Sequence, residues 1–323
     1  MPSRLTLMLM SLLLATPTMV FWLWFVVLPA RLSVLCPEEC RCNPEGFEFH
    51  CSGTSLNPVP SIHHTSIRIL RLSYNEIKLL EKDSFVLLTE LEQLYIYNFG
   101  LRTIELGAFN GLTTLTELSI WSNEISEISP GTFETINSLE YLGLHNNRLK
   151  HLDSGVFSGL VNLKHVTLNG NQLQYLHPDT FLGLPNLQRL YLDKNWALQI
   201  PTDGNFINSH SLLSLGISYC NVSLVSIETF AKVSALEWLD LRYNNLRTVD
   251  INVMGMLPKL SALLLYGNPL QCDCQLQEVW RWCNDRYILT EYKDRTAECD
   301  TPKEMKGMWW GVLGKGQCLE GNT

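Results

Sequence analysis

One pattern recurs along residues 67–270 with almost no drift, and it limits the possible folds more than any other property of the chain. In the template L-x-x-L-x-L-x-x-N-x-L, the first copy is Ile67, Leu70, Leu72, Asn75 and Ile77. Further copies open at Leu91, Leu115, Leu139, Leu163, Leu187, Leu212, Leu236 and Leu260, at intervals of 24 residues except for one of 25 between Leu187 and Leu212. A second column keeps the same phase: Phe85, Phe109, Phe133, Phe157, Phe181, Phe206 and Phe230, with Met254 in the eighth place. Inside a copy, Leu118 and Ile120 alternate with Glu117, Ser119 and Trp121. That alternation is the period of a strand, with the first pair inward and the other three outward. A single unit cannot bury its apolar side alone and must stack on its neighbours.

The spacing resembles the leucine-rich repeat, in which each unit is a short strand plus an irregular return. The resemblance implies an α/β solenoid, a curved horseshoe of about nine repeats with a parallel concave β-sheet, disulfide-capped at both ends. Nine strands about 4.8 Å apart give an inner face roughly 40 Å long. Asn75, Asn123, Asn147, Asn171, Asn195, Asn244 and Asn268 sit where the chain leaves the strand, and a buried amide there can satisfy backbone groups left unpaired by the turn. Phe99 and Cys220 take that place in two copies. Cysteine is an accepted alternative in the family, whereas Phe99 cannot hydrogen-bond, so its turn is expected to differ.

The ends point to a compartment. Residues 5–30 form an apolar run after Arg4, with Leu28-Pro29-Ala30 resembling a small-residue cleavage site. The preferred reading is a signal peptide over 1–30; the rival is a signal anchor, since the run is long enough to span a bilayer. No second apolar run follows Cys318, so the expectation is a secreted extracellular protein or the ectodomain of a longer cell-surface form. Membrane attachment then needs an anchor carried by that longer form. Of the 10 cysteines, Cys36, Cys40, Cys42 and Cys51 precede the repeats and Cys272, Cys274, Cys283, Cys299 and Cys318 follow them. Cysteine-rich lids at both ends suit an oxidising compartment and a solenoid whose ends expose apolar side chains.

The segments "CPEECRCNPEGFEFHC", "NPLQCDCQLQEVWRWC" and "CDTPKEMKGMWWGVLGKGQC" resemble the caps of extracellular leucine-rich repeat proteins of the Slit, Nogo receptor and carboxypeptidase N large subunit type. The resemblance implies an N-terminal cap over 36–66, repeats over 67–271 and a C-terminal cap over 272–318. It also implies the pairs Cys36–Cys42, Cys40–Cys51, Cys272–Cys299 and Cys274–Cys318. Trp282 falls where the cap helix of that family often carries an aromatic, with Leu276 and Val279 on the same helical face. Cys283 is extra to the four-cysteine cap. It reads as a buried thiol beside Trp282, with a Cys220–Cys283 bridge or an intermolecular pairing as alternatives.

No Gly-rich phosphate loop, zinc-helix motif or nucleophile elbow occurs in the sequence. His63-His64 reads as a pair of exposed loop histidines, which on an extended segment are expected to point to opposite sides and not to share a metal. The formal net charge is −8, and loss of residues 1–30 removes only Arg4, giving −9. That balance argues against a nucleic-acid partner, which needs a basic footprint, and leaves a basic protein partner open. The expectation is no enzyme, no cofactor, no metal and no small-molecule substrate.

What remains is a binding face. Tyr95, Tyr97, Trp121, Tyr141, His145 and His165 occupy outward strand positions of repeats two to five, and Tyr191, Trp238 and Arg242 extend the set. Tyr, Trp and Arg are enriched at protein-binding hot spots. Cross-strand stacking accounts for single pairs of them, but a band over four repeats reads better as a contact surface. Trp121, with Leu118 and Ile120 filling the core beside it, has on this reading no packing duty of its own. Asn221-Val222-Ser223 is an N-glycosylation sequence expected to face solvent at the edge of the concave face. The expected function is binding of a protein ligand by a receptor ectodomain, adhesion or immune-recognition protein. The alternative is a non-catalytic regulatory or carrier subunit of another secreted protein.

Overall fold

The computed structural model describes residues 36–315 apart from 39, 44, 46, 54–58, 60–65 and 99. The apolar run of residues 5–30, His63, His64, Phe99 and Cys318 lie outside them. Among the described residues, eleven strands form one sheet in chain order. They are β1 (Cys40–Cys42), β2 (Glu48–Ser52), β3 (Ile69–Ser73), β4 (Gln93–Tyr97), β5 (Glu117–Ser119) and β6 (Tyr141–Gly143). There follow β7 (His165–Thr167), β8 (Arg189–Tyr191), β9 (Ser214–Gly216), β10 (Trp238–Asp240) and β11 (Ala262–Leu264). β1 and β2 are antiparallel; from β2 onward every pairing is parallel, repeat on repeat, as Leu118 with Leu142 and Leu215 with Leu239. The 25-residue interval leaves this register intact, because Arg189 pairs with Ser214 and the extra residue falls in the return segment.

Two side-chain columns fill the interior. The strand leucines, such as Leu94, Leu118, Leu142 and Leu190, are fully buried. Behind them the phenylalanines form a spine, with ring centroids 6.3 Å apart for Phe85–Phe109, 5.8 Å for Phe109–Phe133, 6.2 Å for Phe133–Phe157 and 5.4 Å for Phe157–Phe181. Met254, inside the short helix α1 (Ile251–Gly255), continues the column and is buried.

The asparagine column joins each turn to the repeat before it. Asn147 Nδ2 donates to Ile120 O at 2.7 Å and Leu144 O at 3.1 Å, and its Oδ1 accepts from Ile125 N at 3.2 Å. Asn171 and Asn244 repeat the scheme. Cys220 performs only the donating half: its Sγ lies 3.3 Å from Leu192 O and from Ser218 O. A thiol offers no comparable acceptor, and the N–H of Leu198 instead closes a local turn on Asn195 O at 3.0 Å.

Both ends are sealed. Disulfides join Cys36 to Cys42 and Cys40 to Cys51, and Phe49 and Cys51 of β2 are buried against the first repeat. At the other end Cys272 is joined to Cys299; Cys274 is also disulfide-bonded. Helix α2 (Cys274–Asp285) starts at Asp273, whose carboxylate caps Leu276 N at 3.0 Å. Its buried residues are Leu276, Gln277, Val279 and Cys283. Trp282 differs from the expectation: six residues beyond Leu276 it points off the face of Leu276 and Val279, half-exposed, with the Arg286 guanidinium 4.7 Å from its ring. The aromatic that fills the cap is Trp310, fully buried. Cys220 and Cys283 are free, buried thiols, both pushed up to about 12 by burial. No helix among the described residues is long and apolar enough to cross a membrane.

Candidate functional site

The outward residues of the sheet gather in three places. The first is a stack. Tyr97 lies parallel on Trp121 at 4.6 Å and Trp121 on His145 at 5.5 Å, because all three hold the last outward position of adjacent repeats. Trp121 therefore has a packing duty, contrary to the sequence reading: both faces of its indole are covered by neighbours. All three rings stay half-exposed.

The second group lies one column across. Tyr141 meets His165 edge-on at 6.5 Å, and Tyr141 Oη and His145 Nδ1 each lie 3.4 Å from Thr167 Oγ1. Arg189 Nη1 is 2.9 Å from His165 Nε2; since arginine only donates, that ring nitrogen accepts and the imidazole is neutral. Burial lowers the pKa of His145, and burial together with Arg189 and Lys164 lowers that of His165. Tyr95 stands apart, with its hydroxyl donating to Gln93 Oε1 at 3.0 Å and Arg71 4.7 Å from its ring. Burial first, then Glu117, pushes its hydroxyl up to about 12.

The third group lines a hollow of about 710 Å³ over the later repeats, walled by Tyr191, Asp193, Trp238, Asp240, Arg242 and Tyr292. Arg242 is held by Asp240 through a fork, Nε to Oδ1 at 2.9 Å and Nη2 to Oδ2 at 2.7 Å, and lies 4.5 Å from the Tyr292 ring. Tyr292 also meets Trp238 edge-on at 6.2 Å. Asp193 accepts from Ser218 N at 2.8 Å and Ser218 Oγ at 2.6 Å, while burial raises its pKa. Gly216 permits this packing, because a Cβ there would stand 2.9 Å from both Asp193 Oδ2 and Tyr191 Cδ1. The predicted residues thus divide into a stack, an edge pair, the isolated Tyr95 and a hollow. The face ends at β11, where Ala262 and Leu264 are buried and the cap residue Leu289 bonds to the backbone of Leu263 and Ser261.

Tyr292 was not legible in the repeat template because it belongs to the cap. A further aromatic row was also missed. The residue just before the asparagine column has positive φ in all nine repeats: Tyr74, Asn98, Ser122, Asn146, Gly170, Lys194, Tyr219, Tyr243 and Gly267. Asn and Gly at several of these positions were the available signal. Left-handed geometry is uncommon for a bulky residue, yet Tyr219 and Tyr243 adopt it and stack at 4.2 Å. Arg295 Nη1 donates to the hydroxyls of Tyr243 and Tyr266, both at 2.9 Å.

Residues 96–149, 137–196 and 210–270 match the family model described as leucine rich repeat, together half of the chain. The chain belongs to the leucine-rich repeat family. This leucine-rich repeat chain is 36% identical over 115 residues to a phospholipase A2 inhibitor of Gloydius brevicaudus siniticus, covering 35% of this chain and 34% of the relative. It is 32% identical over 95 residues to leucine-rich repeat-containing protein 52 of Mus musculus, covering 28% of each. It thus spans about a third of the length of these relatives. Among solved structures it is similar to human 5T4 (trophoblast glycoprotein), with a TM-score of 0.65, 24% identity and coverage of 88% of this chain and 98% of the other. A chain of the octameric complex of Latrophilin 3, Unc5D and FLRT2 gives a TM-score of 0.60 at 22% identity, covering 85% and 97%. Those two likenesses establish a shared fold.

Proposed function

We propose that this leucine-rich repeat protein acts outside the cell, secreted or as a cell-surface ectodomain, and binds a protein ligand on its concave face without catalysing a reaction. The observation that carries this is the exposed half of the sheet: the Tyr97–Trp121–His145 stack, the Tyr141–His165 pair and the hollow under Tyr292 follow one another along a single surface. Rigid aromatic rings beside a fixed Arg–Asp fork are the chemistry of protein-binding hot spots. Disulfides at both ends suit a protein exported to an oxidising compartment.

A carrier or inhibitory subunit is the second reading, favoured by the relative named a phospholipase A2 inhibitor. Affinity capture from extracellular fluid with the secreted chain tests both. The concave reading expects a captured protein that Tyr141→Ala with His165→Ala releases. Tyr175→Ala, exposed on the returning side of the solenoid, should retain it. Equal capture by both variants places the binding elsewhere. A soluble partner co-purifying at constant stoichiometry favours the carrier reading.

A further inference from the structure

We propose that Asn221 carries an N-linked glycan whose first sugars rest on a fixed platform made by the rings of Trp196 and Tyr219. Asn221-Val222-Ser223 is the single Asn-x-Ser/Thr sequence without proline in the chain. In the fold Val222 is the buried member, its N–H donating to Asn244 Oδ1 at 3.0 Å, whereas Asn221 and Ser223 are exposed. Asn221 has φ +59°, a conformation asparagine tolerates. Asn245, at the same template position one repeat on, donates its Nδ2 to Asn221 Oδ1. The amide is thus held by its oxygen, and its nitrogen makes no hydrogen bond among the described residues.

The platform stands on the other side. Trp196 holds the same template position one repeat before Asn221 and is 60% exposed. Its indole is fixed against Tyr219 at 5.4 Å and 65°, and Tyr219 is in turn stacked on Tyr243. The rest of the indole is open to a neighbouring group. The C–H face of a hexosamine is apolar and suits a fixed ring face, and neighbouring repeats are only about 4.8 Å apart. Attachment draws on a polyprenyl-pyrophosphate-linked oligosaccharide. The bond from its anomeric carbon to the phosphate oxygen breaks and that carbon bonds to Asn221 Nδ2. The amide gives up one proton, and the lipid pyrophosphate leaves with the electron pair. The glycan then covers the edge beside Tyr219 and leaves the concave face of repeats two to five open to a ligand.

The full chain secreted from animal cells tests this by peptide mass and by hydroxyl-radical footprinting, with the 95% exposed Tyr287 as reference. The Asn221 peptide should carry hexose-type mass that an amidase removes, leaving Asp. Oxidation of Trp196 relative to Tyr287 should then rise about two-fold or more, as a stacked sugar no longer shields it. Ser223→Ala, which keeps Asn221 and its contact with Asn245, should give the same increase without enzyme. An unglycosylated peptide overturns the proposal. So does full occupancy with Trp196 oxidation unchanged by sugar removal, which makes Trp196 a bare surface or the seat of another protein.

Discussion

Trp121→Ala separates the two roles the stack can play. Removing the indole abolishes two parallel ring contacts, with Tyr97 at 4.6 Å and with His145 at 5.5 Å. Aromatic pairs contribute about 0.5–1.5 kcal/mol each beyond area burial. Trp121→Ala should therefore destabilise the fold by about 1–3 kcal/mol, more than an ordinary half-exposed strand residue. If Trp121 is also a ligand anchor, truncation costs roughly a further 2 kcal/mol of binding, about thirty-fold in Kd. Urea unfolding followed by circular dichroism gives the first number. Titration of the captured ligand, at a temperature where the variant is fully folded, gives the second. A double-mutant cycle with Tyr97→Ala should show coupling of about 0.5–1.5 kcal/mol, and Trp121→Phe should restore most of the stability. A stability change below about 0.5 kcal/mol without coupling to Tyr97 refutes the stacking argument. An unchanged Kd in the folded variant confines the ring to a scaffold role.

Asn147→Ala strands the buried groups Ile120 O and Ile125 N, whereas Leu144 O keeps its bond from Asn171 Nδ2; at about 1–3 kcal/mol for each group left unsatisfied, unfolding should become easier by at least about 2 kcal/mol. Asn147→Cys, which keeps a donor as Cys220 does, should fall between the two, and equal losses for Ala and Cys in urea titrations count against the donor account. His145 and His165 both have lowered pKa values in the fold, so the unfolded chain binds protons first as the pH falls below about 6.5. Their contribution to stability is complete above that pH and is lost as the pH falls through the lowered folded values; a His145→Gln, His165→Gln protein should show a flatter melting-temperature profile in that window. Cys220 and Cys283, buried and pushed up to about 12, should resist alkylation at pH 8 in the native protein and react once it is unfolded, as read by intact mass.

Much of this architecture was legible from spacing, because a solenoid repeat must place the same residue type at the same depth each time. Leu118 and Ile120 could only be inward once the repeat was fixed, and the buried amides of Asn147 and Asn171 follow from the turn they stabilise. The face was less legible. The template assigns Trp121 to the outward side but says nothing of rings one repeat away, and stacking depends on how Tyr97 and His145 turn toward it. Nor does it report that Asp193 is drawn down by Ser218, or that Tyr292 reaches the sheet from the cap. The cap itself follows no repeat, so the resemblance pointed to Trp282 on the helix and nothing in the spacing told where the chain returns; the return buries Trp310.

Stacking of Trp121 is compatible with the proposed binding role. A ring free in solvent loses rotamer freedom when a partner closes on it, and each immobilised side chain costs about 0.5–1.5 kcal/mol of affinity. Trp121 is already confined between Tyr97 and His145, and the Arg242 guanidinium is fixed by its fork on Asp240 and by the Tyr292 ring. The ordering cost for these groups is met during folding, by contacts that repeat stacking and the cap supply. A partner then gains the exposed halves of the same rings without ordering them again. On the proposed function, the stacking that stabilises adjacent strands also preorganises the face, so loss of a neighbour such as Tyr97 should loosen Trp121 and weaken binding even where Tyr97 itself touches no partner.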